Sequence, residues 1–203
     1  MVNRRTGYRL VVLLLLLLTS CKTNHQQKGP PAESARGEGG VPIDWDNPYP
    51  SSGTTQVPDL ATAAGMVSFT PVSAQTLGNP DRILLLDAID RDDRSVALIY
   101  TDPTYGGRYI VEESLYQTNQ QELESTLGTC DPAEGCVGSS SIVTLNDSQR
   151  AVVMTGEGSN TIVWLEQGGN GLMSVYGPLD TFTAAYATTV ANILEGAPNG
   201  PGP

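Results

Sequence analysis

Between Val57 and Glu195 the apolar residues come in short alternating runs separated by turn-forming clusters, the pattern of half-buried strands joined by hairpins. Strands are expected at Met66 to Thr70, Arg82 to Ile89, Val96 to Thr101 and Arg108 to Glu113. A second group is expected at Ser141 to Leu145, Ala151 to Thr155, Thr161 to Glu166 and Leu172 to Tyr176. The links, such as Asp102-Pro103-Thr104-Tyr105-Gly106-Gly107 and Gly168-Gly169-Asn170-Gly171, carry turn chemistry and leave no room for a crossover helix. Consecutive strands should therefore run antiparallel.

Two stretches change to a helical period. Asn119 with Glu122 forms an Asn-initiated capping box ahead of Leu123 and Leu127, and Gly128 stands where a helix would close. Further on, Asp180 precedes Phe182, Ala185, Tyr186, Thr189, Val190 and Ile193, one apolar stripe with Gly196 beyond its end. The expected architecture is α+β: an antiparallel sheet of about seven or eight short strands in meanders, packed by a C-terminal amphipathic helix and one short helix.

Outside this region the composition changes. The first twenty residues have a basic start (Arg4, Arg5, Arg9), an apolar run from Leu10 to Leu18, then Thr19-Ser20-Cys21. That run is half of the ~20 residues needed to span a bilayer, so it reads as a cleaved export signal (1–20). Leu18-Thr19-Ser20-Cys21 resembles the lipobox of bacterial lipoproteins, and the resemblance implies that Cys21 becomes the acylated N-terminus. The protein would then be anchored by acyl chains on the extracytoplasmic face of the cell membrane.

Residues 21–56 are polar and rich in Gly, Pro, Ser and Glu, and read as a tether of about 30 to 35 Å end to end. Within it Val41, Ile43, Trp45 and Tyr49 are the sizeable apolar or aromatic groups, a segment that could instead dock on the domain or on a partner. The globular part is expected at 57–195, followed by a disordered Gly/Pro tail at 196–203. With Cys21 committed to lipid, Cys130 and Cys136 remain. They frame a turn-rich loop of five residues and are expected to pair in an oxidising compartment as a local disulfide.

Charge and residue inventory narrow the chemistry. Once the three signal arginines are set aside, eight basic residues face 22 acidic ones, a net charge of −14. That balance excludes a nucleic-acid partner and electrostatic adhesion to anionic lipid. His25, Lys22 and Lys28 all lie in the tether, so the globular region has neither histidine nor lysine. Ser-His-Asp, Cys-His, Schiff-base and Gly-Lys phosphate-loop chemistries lose their central residue, and no cofactor or metal site is expected. The acidic turn of Asp87, Asp90, Asp92 and Asp93 reads as solvated, since Arg91 and Arg94 offset it and no glycine supplies a calcium-loop turn.

What survives is carboxylate chemistry, as in glycosidases, but Glu112 and Glu113 are neighbours on a strand and should point to opposite faces. The remaining cluster is Tyr100, Tyr105, Arg108, Tyr109 and Tyr116 around a Gly-Gly turn. Rigid amphipathic rings and a planar guanidinium lose little freedom on contact, so Tyr105, Arg108 and Tyr109 are the candidate binding residues. The expectation is a non-catalytic binding or sensory domain with an envelope protein as partner. The alternatives are a carrier of a lipid or other hydrophobic ligand between sheet and helix and, behind it, a carboxylate hydrolase.

Overall fold

A computed structural model describes residues 44–49, 53–87, 94–102, 104, 107–115, 118–128, 138–146, 149–156, 158–166 and 171–196. Cys21, Tyr105, Cys130, Cys136 and the export signal lie outside these residues, as do Tyr116 and most of the acidic turn.

Eight strands form one antiparallel sheet: β1 (Thr54–Val57), β2 (Arg82–Leu86), β3 (Ser95–Thr101), β4 (Arg108–Leu115), β5 (Ser139–Thr144), β6 (Arg150–Gly156), β7 (Ser159–Leu165) and β8 (Gly171–Pro178). Their spatial order is β1-β2-β3-β4-β8-β7-β6-β5, two four-stranded meanders joined where β4 pairs with β8. The α+β meander architecture expected from the pattern is the one observed. Three helices accompany it: α1 (Leu60–Ala64), α2 (Gln120–Leu127) and α3 (Ala184–Glu195). Among the described residues no helix is long and apolar enough to cross a membrane.

Alternation gives the sheet two buried faces. On the first, Leu85, Leu98, Val111, Ile162 and Val175 pack beneath α1 and α3. On the second, the β5–β8 half carries Val152, Val163, Leu165 and Leu172 under α2. The β1–β4 half of that face carries Leu84, Ala97, Ile99 and Ile110, and the cover there is residues 44–49. Burying each of the larger aliphatic side chains is worth roughly 1.5–3 kcal/mol, so an uncovered half-face would be a substantial liability.

Three expectations are corrected. Met66 to Thr70 is a chain of turns and bends in place of a strand, with Val67 and Phe69 tucked against the core. The edge position belongs to β1, which pairs with β2 from Thr54↔Leu86 to Val57↔Ile83. The domain consequently starts before Val57, and residues 44–49 and 54–56 of the expected tether belong to it. Finally, α3 is capped by Thr183, whose side chain accepts from the Tyr186 amide, and begins too late to include Phe182. Its buried stripe is Ala187, Val190, Ala191 and Leu194, which shares only Val190 with the expected one. The cap of α2 agrees with the sequence reading: Asn119 accepts from the Glu122 amide, and Leu123 and Leu127 are buried.

Candidate functional site

The cover over the β1–β4 half, residues 44–49, is an irregular strap lying across the second face. Its shape is local: the Asp46 amide donates to Asp44 Oδ1 (3.0 Å) and the Asn47 amide donates to the Asp44 carbonyl (2.9 Å), an Asx-type turn. The turn leaves Trp45 and Tyr49 half-buried on the sheet and Asp46 at the end of the strands where β2 and β4 begin.

The sheet meets each of these groups with a fixed partner. Arg82 and Arg108 open β2 and β4, and both are registered against the last residues of β3 (Arg82↔Ile99, Thr101↔Arg108), so they share one end and one face. Both Nη1 atoms donate to the Asp46 carbonyl, at 3.2 Å from Arg82 and 3.1 Å from Arg108. Arg108 also pairs with Asp46 Oδ1 at 3.1 Å, with side chains 35% and 86% exposed respectively. Such an exposed pair is worth at most about 1 kcal/mol, so it orients the strap more than it stabilises it.

Deeper in, Glu112 of β4 and Tyr176 of β8 are diagonal neighbours on the same face, because Glu112 faces Ser174 and Ile110 faces Tyr176. The Tyr176 hydroxyl donates to Glu112 Oε2 at 3.0 Å, and Tyr49 of the strap donates to the same oxygen at 3.0 Å. The two hydroxyls also touch each other. Burial, followed by the charge of Glu112, pushes both phenols well above the ordinary tyrosine range. Trp45 completes the contact, its ring 6.4 Å from that of Tyr176.

Beside the strap lies an open groove of about 600 Å³, lined by Trp45, Asp46, Arg108, Pro178, Asp180 and Thr181 among others. Gly107 is required at this point, since a Cβ there would overlap the Thr181 side chain. Among the described residues the Thr181 hydroxyl is buried without a hydrogen-bond partner.

The predicted contact residues separate. Arg108 lies in the strap site at the groove. Tyr109 does not: it is 2% exposed on the first face, stacked between Tyr100 (5.2 Å) and Phe182 (5.4 Å), with Tyr186 edge-on at 6.0 Å. Adjacent strand residues face opposite ways, so only one of Arg108 and Tyr109 could have served a single surface. Burial raises Tyr100 to about 12 and Tyr109 higher still, as expected of core phenols.

Glu112 and Glu113 are divided in the same manner. Glu113 is 3% exposed on the first face, and its Oε2 accepts from the Val72 amide at 2.7 Å. Burial pushes it up to about 8, with Glu166 adding to the rise. Glu166 is itself raised, by burial and by Glu195, whose carboxylate accepts from Trp164 Nε1 at 3.0 Å. Glu113 is thus closed in beneath a backbone amide and faces away from Glu112. The two do not converge on a common substrate position. Among the described residues no cluster of three metal-ligating side chains occurs.

Sequence reasoning weighed the docking of Trp45 and Tyr49 but did not single out Arg82, Glu112 as an acceptor, or Tyr176. The available signal was the pair of aromatics in an otherwise polar stretch, where exposed rings would gain nothing. The chain matches no family model, no curated protein and no solved structure.

Proposed function

We propose that this is a membrane-anchored extracytoplasmic lipoprotein, held by acyl chains on Cys21, whose domain acts by binding an envelope protein. The observation that carries the reading is that Trp45 and Arg108 line an open groove at one end of the sheet, with Arg82 holding Asp46 of the same lining. Aromatic rings and arginines are the groups in which binding energy concentrates. An open, partly polar groove suits a polypeptide better than an enclosed small molecule. The carrier alternative has less support, because Phe182, Ala187, Val190 and Ala191 fill the space between sheet and α3.

Two experiments test the proposal on the full chain in a bacterial envelope. Cys21→Ser should abolish acyl labelling and release the protein from membranes; persistent labelling would remove the anchor. A photo-crosslinking amino acid at Asp180, on the groove, should give a discrete adduct. The same probe at Ser141, on the far edge strand β5, should not. Equal adducts at both positions, or none at either, would count against the groove as the contact surface.

A further inference from the structure

Residues 44–49 sit on the second face without joining the ladder, so what holds them is side-chain recognition together with one carbonyl. Three of the residues they present are matched by groups fixed on strands. Two arginines receive Asp46, a Glu112–Tyr176 pair receives the Tyr49 hydroxyl, and the Tyr176 ring receives Trp45. Below them lies an apolar floor of Leu84, Ile99 and Ile110. This is the composition of a peptide-recognition surface: aromatic anchors, a buried polar specificity group and a charged rim.

We propose that the strap is an internal stand-in for a partner. The second-face patch recognises a polypeptide segment turned as the strap is and carrying a Trp-Asp pair with a tyrosine three residues after the aspartate, supplied by another envelope protein. The proposal rests on the binding reading above, moves the contact from the groove beside the strap to the patch beneath it, and names the chemistry of the partner. Charge complementarity sets the acidic position, since Arg82 and Arg108 place two cations at one end of a patch in a chain that is otherwise strongly acidic. The strap's grip is wet at its outer end, where Trp45 is half-buried and the Asp46 side chain is mostly in water, and the Tyr49 hydroxyl is the one group that must leave a partly buried partner for exchange to occur. A covalently joined segment competes at an effective concentration on the order of millimolar. The intact protein is therefore self-covered, and a partner gains access by outcompeting the strap or when the strap is drawn off through the chain that precedes it.

The test uses the full chain and a synthetic peptide of residues 41–50, Val-Pro-Ile-Asp-Trp-Asp-Asn-Pro-Tyr-Pro, titrated by calorimetry. The peptide should bind a Trp45→Ala/Tyr49→Phe chain at least tenfold more tightly than the unaltered chain. Adding Arg82→Gln and Arg108→Gln, or replacing the aspartate after the peptide's tryptophan by asparagine, should reduce that binding tenfold or more. Tyr49→Phe alone, which keeps the ring, serves as the milder background if the double variant fails to melt cooperatively. Equal affinity for covered and uncovered chains, or no binding to a folded uncovered chain, would overturn the proposal.

Mixing chains bearing Tyr49→Cys with chains bearing Tyr176→Cys gives a further outcome. An intermolecular disulfide would identify the occupant as a second copy of this chain and overturn the assignment to a different protein. Failure of the peptide while the Asp180 adduct persists would leave the binding reading standing with a partner of other chemistry.

Discussion

The second face of the sheet is covered in two different ways, and the contrast shows what each cover is for. Over the β5–β8 half lies α2, a helix with its own side-chain cap, which inserts Leu123 and Leu127 among Val152, Val163, Leu165 and Leu172. Its charged contact, Arg150 with Glu124 at 2.9 Å, stays at the rim. Over the β1–β4 half lies the strap, with a single turn of its own, two half-buried aromatics, and polar contacts to Arg82, Arg108, Glu112 and Tyr176. A cover held by apolar insertion is permanent within the folded state. One held by matched polar groups and partial aromatic contact can be exchanged at small cost, because water or another ligand can replace its partners.

The largest expected effect falls on the permanent cover. Leu123→Ala should cost about 2 to 5 kcal/mol, the range for a buried leucine, and lower the melting temperature accordingly. Trp45→Ala should cost far less, roughly 1 to 2 kcal/mol in keeping with its partial burial, read by the same melt. If the two losses are equal, the strap is as integral as the helix and the contrast fails.

Glu113, buried on the opposite face, gives a separate test by pH. The folded state holds Glu113 protonated up to about pH 8, whereas the unfolded chain releases the proton near the ordinary value of 4.5. The folded state thus binds the extra proton between these values, and stability falls as pH rises from about 5 through 8. Glu113→Gln keeps an acceptor for the Val72 amide and should flatten that dependence, measured by denaturant midpoints across the window. A slope unchanged by the substitution would reject Glu113 as its source.

On the strap side, Glu112→Ala deprives the Tyr49 and Tyr176 hydroxyls of their acceptor, at a cost of about 1 to 3 kcal/mol. The strap should loosen in hydrogen exchange while α2 does not. The smallest effect belongs to Arg108→Gln. It should change the melting free energy by no more than about 1 kcal/mol, as for other exposed ion pairs, yet speed exchange at residues 44–49.

The sheet was legible because hydrophobic alternation survives tertiary folding. Arg82, Val96, Arg108, Ala151 and Leu172 each lie within or at the start of the strand expected around them. Met66 to Thr70 misled because Val67 and Phe69 reach the core from a run of turns and bends, while Thr-Thr-Gln-Val at β1 is too short and polar to stand out. The helix α1 escaped notice for its five residues, although Asp59 caps it by accepting from the Thr62 amide at 2.7 Å. Of the site, Arg108 was legible from residue type and turn position. Tyr176, Arg82 and the acceptor role of Glu112 were not, because only the β4–β8 register and the strap's return across the face bring them together.

The central claim, that the strap is an exchangeable cover, is met most directly by amide hydrogen exchange on the full chain. Its amides at Asp46 and Asn47 should exchange orders of magnitude faster than that of Leu127 in α2. Arg82→Gln with Arg108→Gln should accelerate the strap alone. Strap amides protected as strongly as Leu127, and unmoved by loss of both arginines, would contradict the account.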